Sequence, residues 1–227
     1  MATQPIYQFY SELADYEPKI WRRFQVPRNI TMAKLGYIIM TIYEMQASHL
    51  FYLEFGLRDR LCFRYELPAE NRLPMERNGM CFLDASESML GQQFNRAGTK
   101  LTMQYDFGDG WEIALTLEEI LDDRDLPGRE LPRVLDGSGY GIIEDCGGPD
   151  GLKRLAKAFQ KKKGQAYQEY REWLGRDSLD LSAFDKDDMN FRLKKVPRIY
   201  RELYEDELEP TSRSIHILNR RYLEKKN

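Results

Sequence analysis

Hydrophobic and polar residues alternate along several short stretches in the first half of the chain. Ile20, Phe24 and Val26, for example, fall on one side of such an alternation, and Pro27 ends it. This period of two is typical of β-strands with one buried face. The pattern predicts strands in the regions of Ile6, Ile20, His49, Leu61, Leu101 and Ile113.

One segment of the first half has a helical period instead. Between Met32 and Met45, apolar residues recur every three or four positions, and Thr31 precedes them. Threonine is a favourable N-cap because its hydroxyl accepts a hydrogen bond from a free amide of the first turn. The pattern predicts a buried helix that covers the sheet.

Helical spacing dominates the last third of the chain. It predicts helices or capped turns over Gly151–Lys162, with Asp150 as a cap, and over Gln165–Leu174, Phe184–Leu193 and Arg198–Glu207. The glycine-rich run at 136–141 predicts a loop. Strands first and helices last favour an α+β fold over alternating α/β. We expect a mixed, mostly antiparallel sheet covered by a helix, with a C-terminal helical layer.

The segment from Tyr105 to Ile113, YDFGDGWEI, joins two predicted strands. Its Gly-Asp-Gly run contains the residue types that tight turns favour, so the segment predicts a hairpin. Asp106 and Asp109 then lie at one edge of the sheet, and the motif contains no basic residue. A partner, a metal ion or solvent must neutralise them.

Three blocks of sequence, taken in order, resemble the plasmid pRiA ORF-3-like family. The first is IWRR at 20–23 with VP at 26–27 and HL at 49–50, the second is YDFGDGW at 105–111, and the third is EDCGG at 144–148. Phe184-Asp185 and Met189-Asn190 are similar to the family's closing segment. The resemblance runs from about residue 5 to about residue 195.

The resemblance implies a fold more firmly than a reaction. Members of the family have no established activity, and some are labelled transposon passenger proteins, which implies an association with mobile genetic elements. We expect residues 1–195 to form the plasmid ORF-3-like α+β domain, and residues 196–227 to form a C-terminal helical extension or basic tail. The family often has a histidine where this chain has Ile113, which weakens any site that needs an imidazole there.

Composition narrows the function classes. The net charge is −3 with 31% charged residues, so the protein as a whole does not match a polyanion. Three cysteines without metal-finger spacing favour a reducing compartment. No stretch approaches the roughly 20 apolar residues that cross a bilayer. We expect a cytoplasmic protein without membrane association.

The candidate site consists of acidic loops and one histidine. Carboxylates are hard ligands suited to Mg²⁺, Mn²⁺ or Ca²⁺, and an added imidazole would suit a hydrolytic centre. The alternative is that the acids cap backbone amides in turns, and the sequence predicts no resident cofactor. The candidate residues are His49, Asp106, Asp109, Glu144, Asp145 and Cys146, with Asp109, Glu144 and Asp145 as the metal ligands.

Cys146 offers a second chemistry. It precedes Gly147 and Gly148 near a predicted helix start, where a lowered pKa would make the thiol a nucleophile. The alternative is a small buried thiol without chemistry.

Basic residues form several short clusters. The candidates for a nucleic-acid or partner surface are Arg22, Arg23, Lys161, Lys162, Lys163, Lys194, Lys195 and Arg198, although solvated helix faces commonly carry such charges. We expect a non-catalytic binding or adaptor protein with a protein partner. The alternatives are a divalent-metal-dependent hydrolase, acting for instance on phosphodiesters, that uses Asp106, Asp109, Glu144 and Asp145, and a nucleic-acid-binding protein that uses the C-terminal basic helices.

Overall fold

The chain folds around one large sheet with helices on it. The structure is a computed structural model that describes residues 5–56, 62–68, 76–77, 79–122 and 130–219. Within these ranges nine strands lie in the order β5-β6-β4-β3-β7-β8-β1-β2-β9. The strands are β1 (Ile6–Leu13), β2 (Trp21–Pro27), β3 (Phe51–Gly56), β4 (Cys62–Glu66), β5 (Glu76–Arg77), β6 (Met80–Asp84), β7 (Lys100–Tyr105), β8 (Trp111–Leu121) and β9 (Arg133–Ser138).

Every neighbouring pair of these strands is antiparallel except β4 and β6, which are parallel. The helices are α1 (Met32–Ile42), α2 (Leu90–Gln93), α3 (Gly148–Lys161), α4 (Gln165–Leu174), α5 (Lys186–Leu193), α6 (Val196–Tyr204) and α7 (Ser212–Asn219). The predicted α+β class with a mixed, mostly antiparallel sheet is therefore confirmed. No helix of the described ranges is both long enough and apolar enough to cross a membrane.

Helix α1 lies at the centre of the fold. All of its residues except Lys34 are buried, because it contacts β3 and β4 as well as α5 and α6. A helix that is apolar on nearly every side needs such cover. The predicted cap is confirmed, since the Thr31 hydroxyl accepts a hydrogen bond from the Lys34 amide at 3.1 Å.

Helix α1 ends before the predicted Met45. Glu44 has a φ of 60°, and the Met45 amide donates to the Met40 carbonyl at 3.0 Å. A left-handed residue followed by this backward hydrogen bond is the Schellman ending of a helix. The chain therefore leaves α1 in an irregular loop, residues 43–50, which we call the histidine loop.

The prediction of a loop over residues 136–141 is wrong for its first half. Residues 133–138 form β9, in which Gly137 pairs with Arg22 of β2. A Cβ at Gly137 would lie 2.8 Å from the Trp21 carbonyl oxygen and 2.9 Å from the Phe184 ring. The glycine is needed for close packing within the sheet rather than for a turn.

Arg22 is not a surface residue, contrary to its place among the candidate nucleic-acid contacts. Its side chain is fully buried. The guanidinium donates to the carbonyl oxygens of Trp21, Ile42, Ser138, Gly139 and Tyr140 at 2.7–2.9 Å. Its neighbour Arg23 forms a two-pronged hydrogen bond with Glu118 at 2.8 and 2.9 Å. Arg22 is therefore a structural residue that joins β2, β9 and the end of α1.

Residues beyond 195 contribute to the same core. Val196, Ile199 and Tyr200 of α6 are buried, and α6 contacts α1. Residues 69–75 and 123–129 lie outside the described residues, as does the end of the predicted C-terminal extension after residue 219. The proposed division at residue 195 stays a prediction.

Candidate metal centre

Three irregular segments meet beyond the ends of β7 and β8. They are the histidine loop, the turn at 106–110, and the segment at 139–147, which we call the acidic loop. The Asp106 amide donates to the Leu50 carbonyl at 3.1 Å, and the Gly147 amide donates to Asp109 Oδ2 at 3.1 Å. Since these bonds join all three segments, residues far apart in sequence form one site.

His49, Asp106 and Asp145 form a group with the geometry of metal ligands. Each residue offers one ligand atom, and these atoms lie within 4.8 Å of one another. His49 Nε2 is 3.5 Å from Asp106 Oδ2 and 3.3 Å from Asp145 Oδ1. Asp106 is buried, His49 is partly buried, and the Asp145 side chain is 70% exposed. The group therefore has one side in the protein and one side in solvent.

Both aspartates sit in a backbone conformation that suits this residue type. Asp106 has a φ of 53° and Asp145 a φ of 58°. Aspartate tolerates this left-handed region better than most residues. Asp106 Oδ1 accepts from the amides of Gly108 at 3.0 Å and Asp109 at 3.3 Å. One oxygen therefore shapes the turn, and the other faces His49.

His49 Nε2 is buried and has no hydrogen-bond partner among the described residues. The imidazole packs at right angles to the Tyr105 ring, with ring centroids 5.8 Å apart. The Tyr204 hydroxyl of α6 donates to the His49 carbonyl oxygen, and the Tyr200 hydroxyl donates to that of Met45. Two tyrosines of α6 thus hold the histidine loop in place.

Glu144 supports the site through its hydrogen bonds. Its carboxylate accepts from the Tyr105 hydroxyl, the Gln46 amide and the Ser48 hydroxyl. Burial, and then the adjacent Glu144 charge, raise the pKa of Tyr105, so this hydroxyl keeps its proton and remains a donor. Because three donors already occupy Glu144, its role is to fix the acidic loop beside Asp145.

The structure thus distributes the predicted metal ligands among different roles. Asp145 belongs to the ligand group, whereas Asp109 bonds to Gly147 and Glu144 to its three donors. His49 and Asp106, which the sequence also marked as site candidates, complete the group. The sequence reasoning missed Tyr105, Ser48 and Tyr204 as supports. Of these three, only Tyr105 could have been found from the sequence, because it is the first residue of the YDFGDGW motif and lies on the buried face of its strand.

Of the two interpretations of Cys146, the structure agrees with the small buried thiol and not with the nucleophile. The thiol is buried and lies 3.7 Å from the Gly148 carbonyl oxygen. Burial, and to a smaller extent the nearby Asp109 carboxylate, raise its pKa to about 12. Only the thiolate is a nucleophile, so this cysteine is inert near neutral pH. Its small side chain instead fills space under the acidic loop.

Replacing Tyr204 with phenylalanine tests the support from α6. The change removes the hydroxyl that bonds the His49 carbonyl, and we expect the free energy of unfolding to fall by about 1 kcal/mol. On the hypothesis that His49 is a metal ligand, divalent-metal affinity should fall as well, by about tenfold, because the histidine loop is then held less firmly. Titration calorimetry and urea denaturation measure the two effects.

Tyr170→Phe is the matched control, because the Tyr170 hydroxyl has no hydrogen bond to the residues that the structure describes. Equal metal affinity in the Tyr204 variant and the control would contradict the supporting role of α6.

Comparisons with known proteins place the chain in one family. The sequence profile described as "Plasmid pRiA4b ORF-3-like protein" matches residues 5–192. The uncharacterised protein y4hQ of Sinorhizobium fredii is 30% identical over 177 residues, which are 77% of this chain and 83% of the relative. A crystal structure of a protein of unknown function from Methanosarcina mazei Go1 matches with a TM-score of 0.70 and 24% identity, over 82% of this chain and 98% of that one.

The structural match shows a shared fold, and neither relative carries an assigned function. The profile spans all three sequence blocks, IWRR, YDFGDGW and EDCGG, so the resemblance predicted from them is confirmed. The chain belongs to the plasmid pRiA4b ORF-3-like protein family, a family of unknown function.

Proposed function

We propose that the protein binds a divalent metal ion through His49, Asp106 and Asp145. One observation carries the proposal: the Nε2 atom of His49 is buried without a hydrogen-bond partner among the described residues, and two carboxylate oxygens face it. A buried polar atom without a partner is rare in folded proteins and calls for an explanation such as an ion. A metal ion would satisfy the imidazole and neutralise both acids.

The distances support this assignment. In a tetrahedral site with metal–ligand bonds of about 2.0–2.2 Å, neighbouring ligand atoms are roughly 3.3–3.6 Å apart. The two distances from His49 Nε2, 3.5 Å and 3.3 Å, correspond to two edges of such a site. The exposed Asp145 side chain can rotate to close the third edge.

The donor types favour a first-row transition ion. Imidazole suits Zn²⁺, Fe²⁺ and related ions, whereas Mg²⁺ and Ca²⁺ prefer sites made only of oxygen. One nitrogen and two carboxylates therefore favour Zn²⁺ or Mn²⁺ over Mg²⁺. This differs from the all-carboxylate set that the sequence suggested.

The solvent-facing side of the group supports a hydrolytic role for the site. Three protein ligands leave a coordination position open, and a bound ion would supply an activated water there. On the protein side, Asp106 is fixed by its turn, and Glu144 holds the acidic loop. The chain thus holds Asp106 in place and leaves one face of the group accessible, while Asp145 remains free to adjust.

Calorimetric titration of chelator-treated protein with Zn²⁺, Mn²⁺ and Mg²⁺ tests the proposal. We expect Zn²⁺ and Mn²⁺ to bind with a Kd of about 10 µM or below, and Mg²⁺ to bind far more weakly. His49→Ala and Asp106→Asn should each reduce the affinity about 100-fold, since each removes a ligand. His216→Ala is the matched control, because His216 lies on α7 outside the group.

Failure of all three ions to bind, or unchanged affinity in His49→Ala, would remove the proposal. Hydrolysis of bis(p-nitrophenyl) phosphate with Mn²⁺ separates a catalytic site from a binding site. Turnover that disappears in His49→Ala would support the hydrolase, and binding without turnover would restrict the function to metal binding.

A non-catalytic adaptor role is the second candidate, and one observation favours it. Leu50 and Phe107 are 65% and 60% exposed, and they directly follow the two ligands His49 and Asp106. Phe107 also contacts the Tyr52 ring, at a centroid distance of 5.5 Å. Stable partners usually bury about 800 Å² on each side, which is more than two such side chains supply. The adaptor role therefore ranks below metal binding.

A further inference from the structure

A second candidate site lies between α1 and α6, formed by residues other than the proposed metal ligands. A cavity of about 320 Å³ separates one face of each helix. Thr31 at the start of α1 and Pro197 at the start of α6 both line it, so two helix N-termini lie beside the same cavity. We call this cavity the α1–α6 groove. Its lining residues include Thr31, Lys34, Tyr37, Arg198, Arg201 and Glu205.

Positive charge dominates the groove. Lys34, Arg198 and Arg201 line it against a single carboxylate, Glu205. Lys34 has no ion pair within the described ranges. The two arginines pair only with partly exposed acids, Glu202 at 3.2 Å and Asp206 at 3.4 Å. Exposed pairs of this kind are weak and rearrange at little cost. All three cations are therefore available to an anionic ligand.

The N-terminus of a helix can add to the positive electrostatic potential of the groove. Helix α6 begins without a side-chain cap, and its second residue is Pro197, which has no N–H. A helix N-terminus carries about half a positive charge and favours negatively charged groups. The start of α6 therefore favours the same sign of ligand as the three side chains. The start of α1 adds no free amide, because Met32, Ala33 and Lys34 already donate to acceptors within the protein.

Tyr37 indicates a ligand independently of the charges. The residue is 1% exposed, and its hydroxyl is buried without a hydrogen-bond partner among the described residues. Burial raises its pKa, and the neighbouring Glu205 carboxylate raises it further, although the pair lacks hydrogen-bond geometry. The hydroxyl therefore keeps its proton, and it is a donor to which the neighbouring Glu205 carboxylate does not offer a well-formed hydrogen bond.

We propose that the α1–α6 groove binds the phosphate group of a small phosphorylated compound. A phosphate oxygen would accept the Tyr37 proton, while Lys34, Arg198 and Arg201 balance the negative charge. The volume of about 320 Å³ is at the lower end of small-molecule sites, which fits a phosphomonoester. The groove thus assigns a role to Arg198, which the sequence marked as a partner contact.

Calorimetric titrations at constant ionic strength test the proposal with two probes, inorganic phosphate and adenosine 5′-monophosphate. We expect at least one to bind the wild-type protein, and its affinity to fall about tenfold or more in Arg201→Gln and in Tyr37→Phe, because each loses a hydrogen bond to a charged group. Arg171→Gln is the matched control, since Arg171 is another exposed arginine, lies on α4 and pairs with an acid, Asp177.

Thermal unfolding without ligand provides a second measurement. Tyr37→Phe removes a hydroxyl that has no partner, so we expect the Tm to stay equal or rise, whereas loss of an ordinary buried hydrogen bond would lower it. The proposal would be overturned by absence of binding for both probes, or by unchanged phosphate affinity in Tyr37→Phe. Tighter binding of a 20-nucleotide single strand than of either probe would replace the small ligand with nucleic acid.

Discussion

Replacing Arg22 with methionine is expected to lower the free energy of unfolding by about 3–5 kcal/mol. Native domains are stable by only about 5–15 kcal/mol, so such a loss would remove a large share of the stability. The reason is that the guanidinium is fully buried and all of its donors serve the backbone. Methionine has a similar length but offers no donor.

The carbonyl oxygens that lose their donor belong to three different parts of the fold. Trp21 lies in β2, Ile42 ends α1, and the remaining acceptors, Ser138, Gly139 and Tyr140, continue from β9 into the acidic loop. The guanidinium also lies 4.8 Å from the Phe184 ring centroid, which adds a cation–π contact. Arg22→Met therefore removes the hydrogen bonds that join the end of α1 to β2 and β9 at the edge of the sheet.

Arg23→Met is the internal control, because it changes the same residue type at the next position. Arg23 pairs with Glu118, and both side chains are partly exposed, at 37% and 25%. Such pairs contribute about 0–1 kcal/mol. Urea denaturation of both variants should therefore give a large loss for Arg22 and a small loss for Arg23. Equal losses in the free energy of unfolding would contradict the role of Arg22 as the residue that joins β2, β9 and the end of α1.

The local elements of the fold were predictable because local chemistry determines them. The alternation of apolar and polar residues predicted β7 and β8, and Thr31 predicted the start of α1. The prediction failed where a distant residue decides the structure. Gly137 belongs to a strand because its missing side chain makes room for the Trp21 carbonyl and the Phe184 ring. Arg22 appeared to be a surface charge because its acceptors are backbone oxygens, which a sequence does not reveal.

The candidate site was predictable in its parts but not in its arrangement. The motif and the EDCGG block pointed to Asp106 and Asp145, and His49 was among the candidates. Which acids face His49 depends on backbone conformation, since the left-handed φ at Asp106 aims its free oxygen at the imidazole. The same holds for Tyr105 and Glu144, which bond across 39 positions of the sequence. Long-range packing therefore decides which residues belong to the candidate ligand group and which residues hold that group in place.

The backbone of the two motifs is in direct contact, which makes Gly148 a sensitive position. Gly148 has a φ of 66°, and a Cβ there would lie 2.3 Å from the Asp109 carbonyl oxygen. Gly148→Ala therefore combines a left-handed penalty of about 1–2 kcal/mol with a clash that costs about 1–3 kcal/mol. We expect the free energy of unfolding to fall by about 2–5 kcal/mol in urea denaturation.

The same substitution tests the proposed metal centre. Asp106 lies just before Asp109, and Asp145 just before Gly148, so a clash between these segments separates two of the three proposed ligands. We expect Zn²⁺ affinity to fall about tenfold or more. Gly175→Ala is the matched control, because Gly175 has a φ of 63° and nothing within 4 Å of the added Cβ. It should lose only about 1–2 kcal/mol, with unchanged Zn²⁺ affinity. Equal stability losses in the two variants would show that the motif loops can separate freely, and would contradict a site built on their contact.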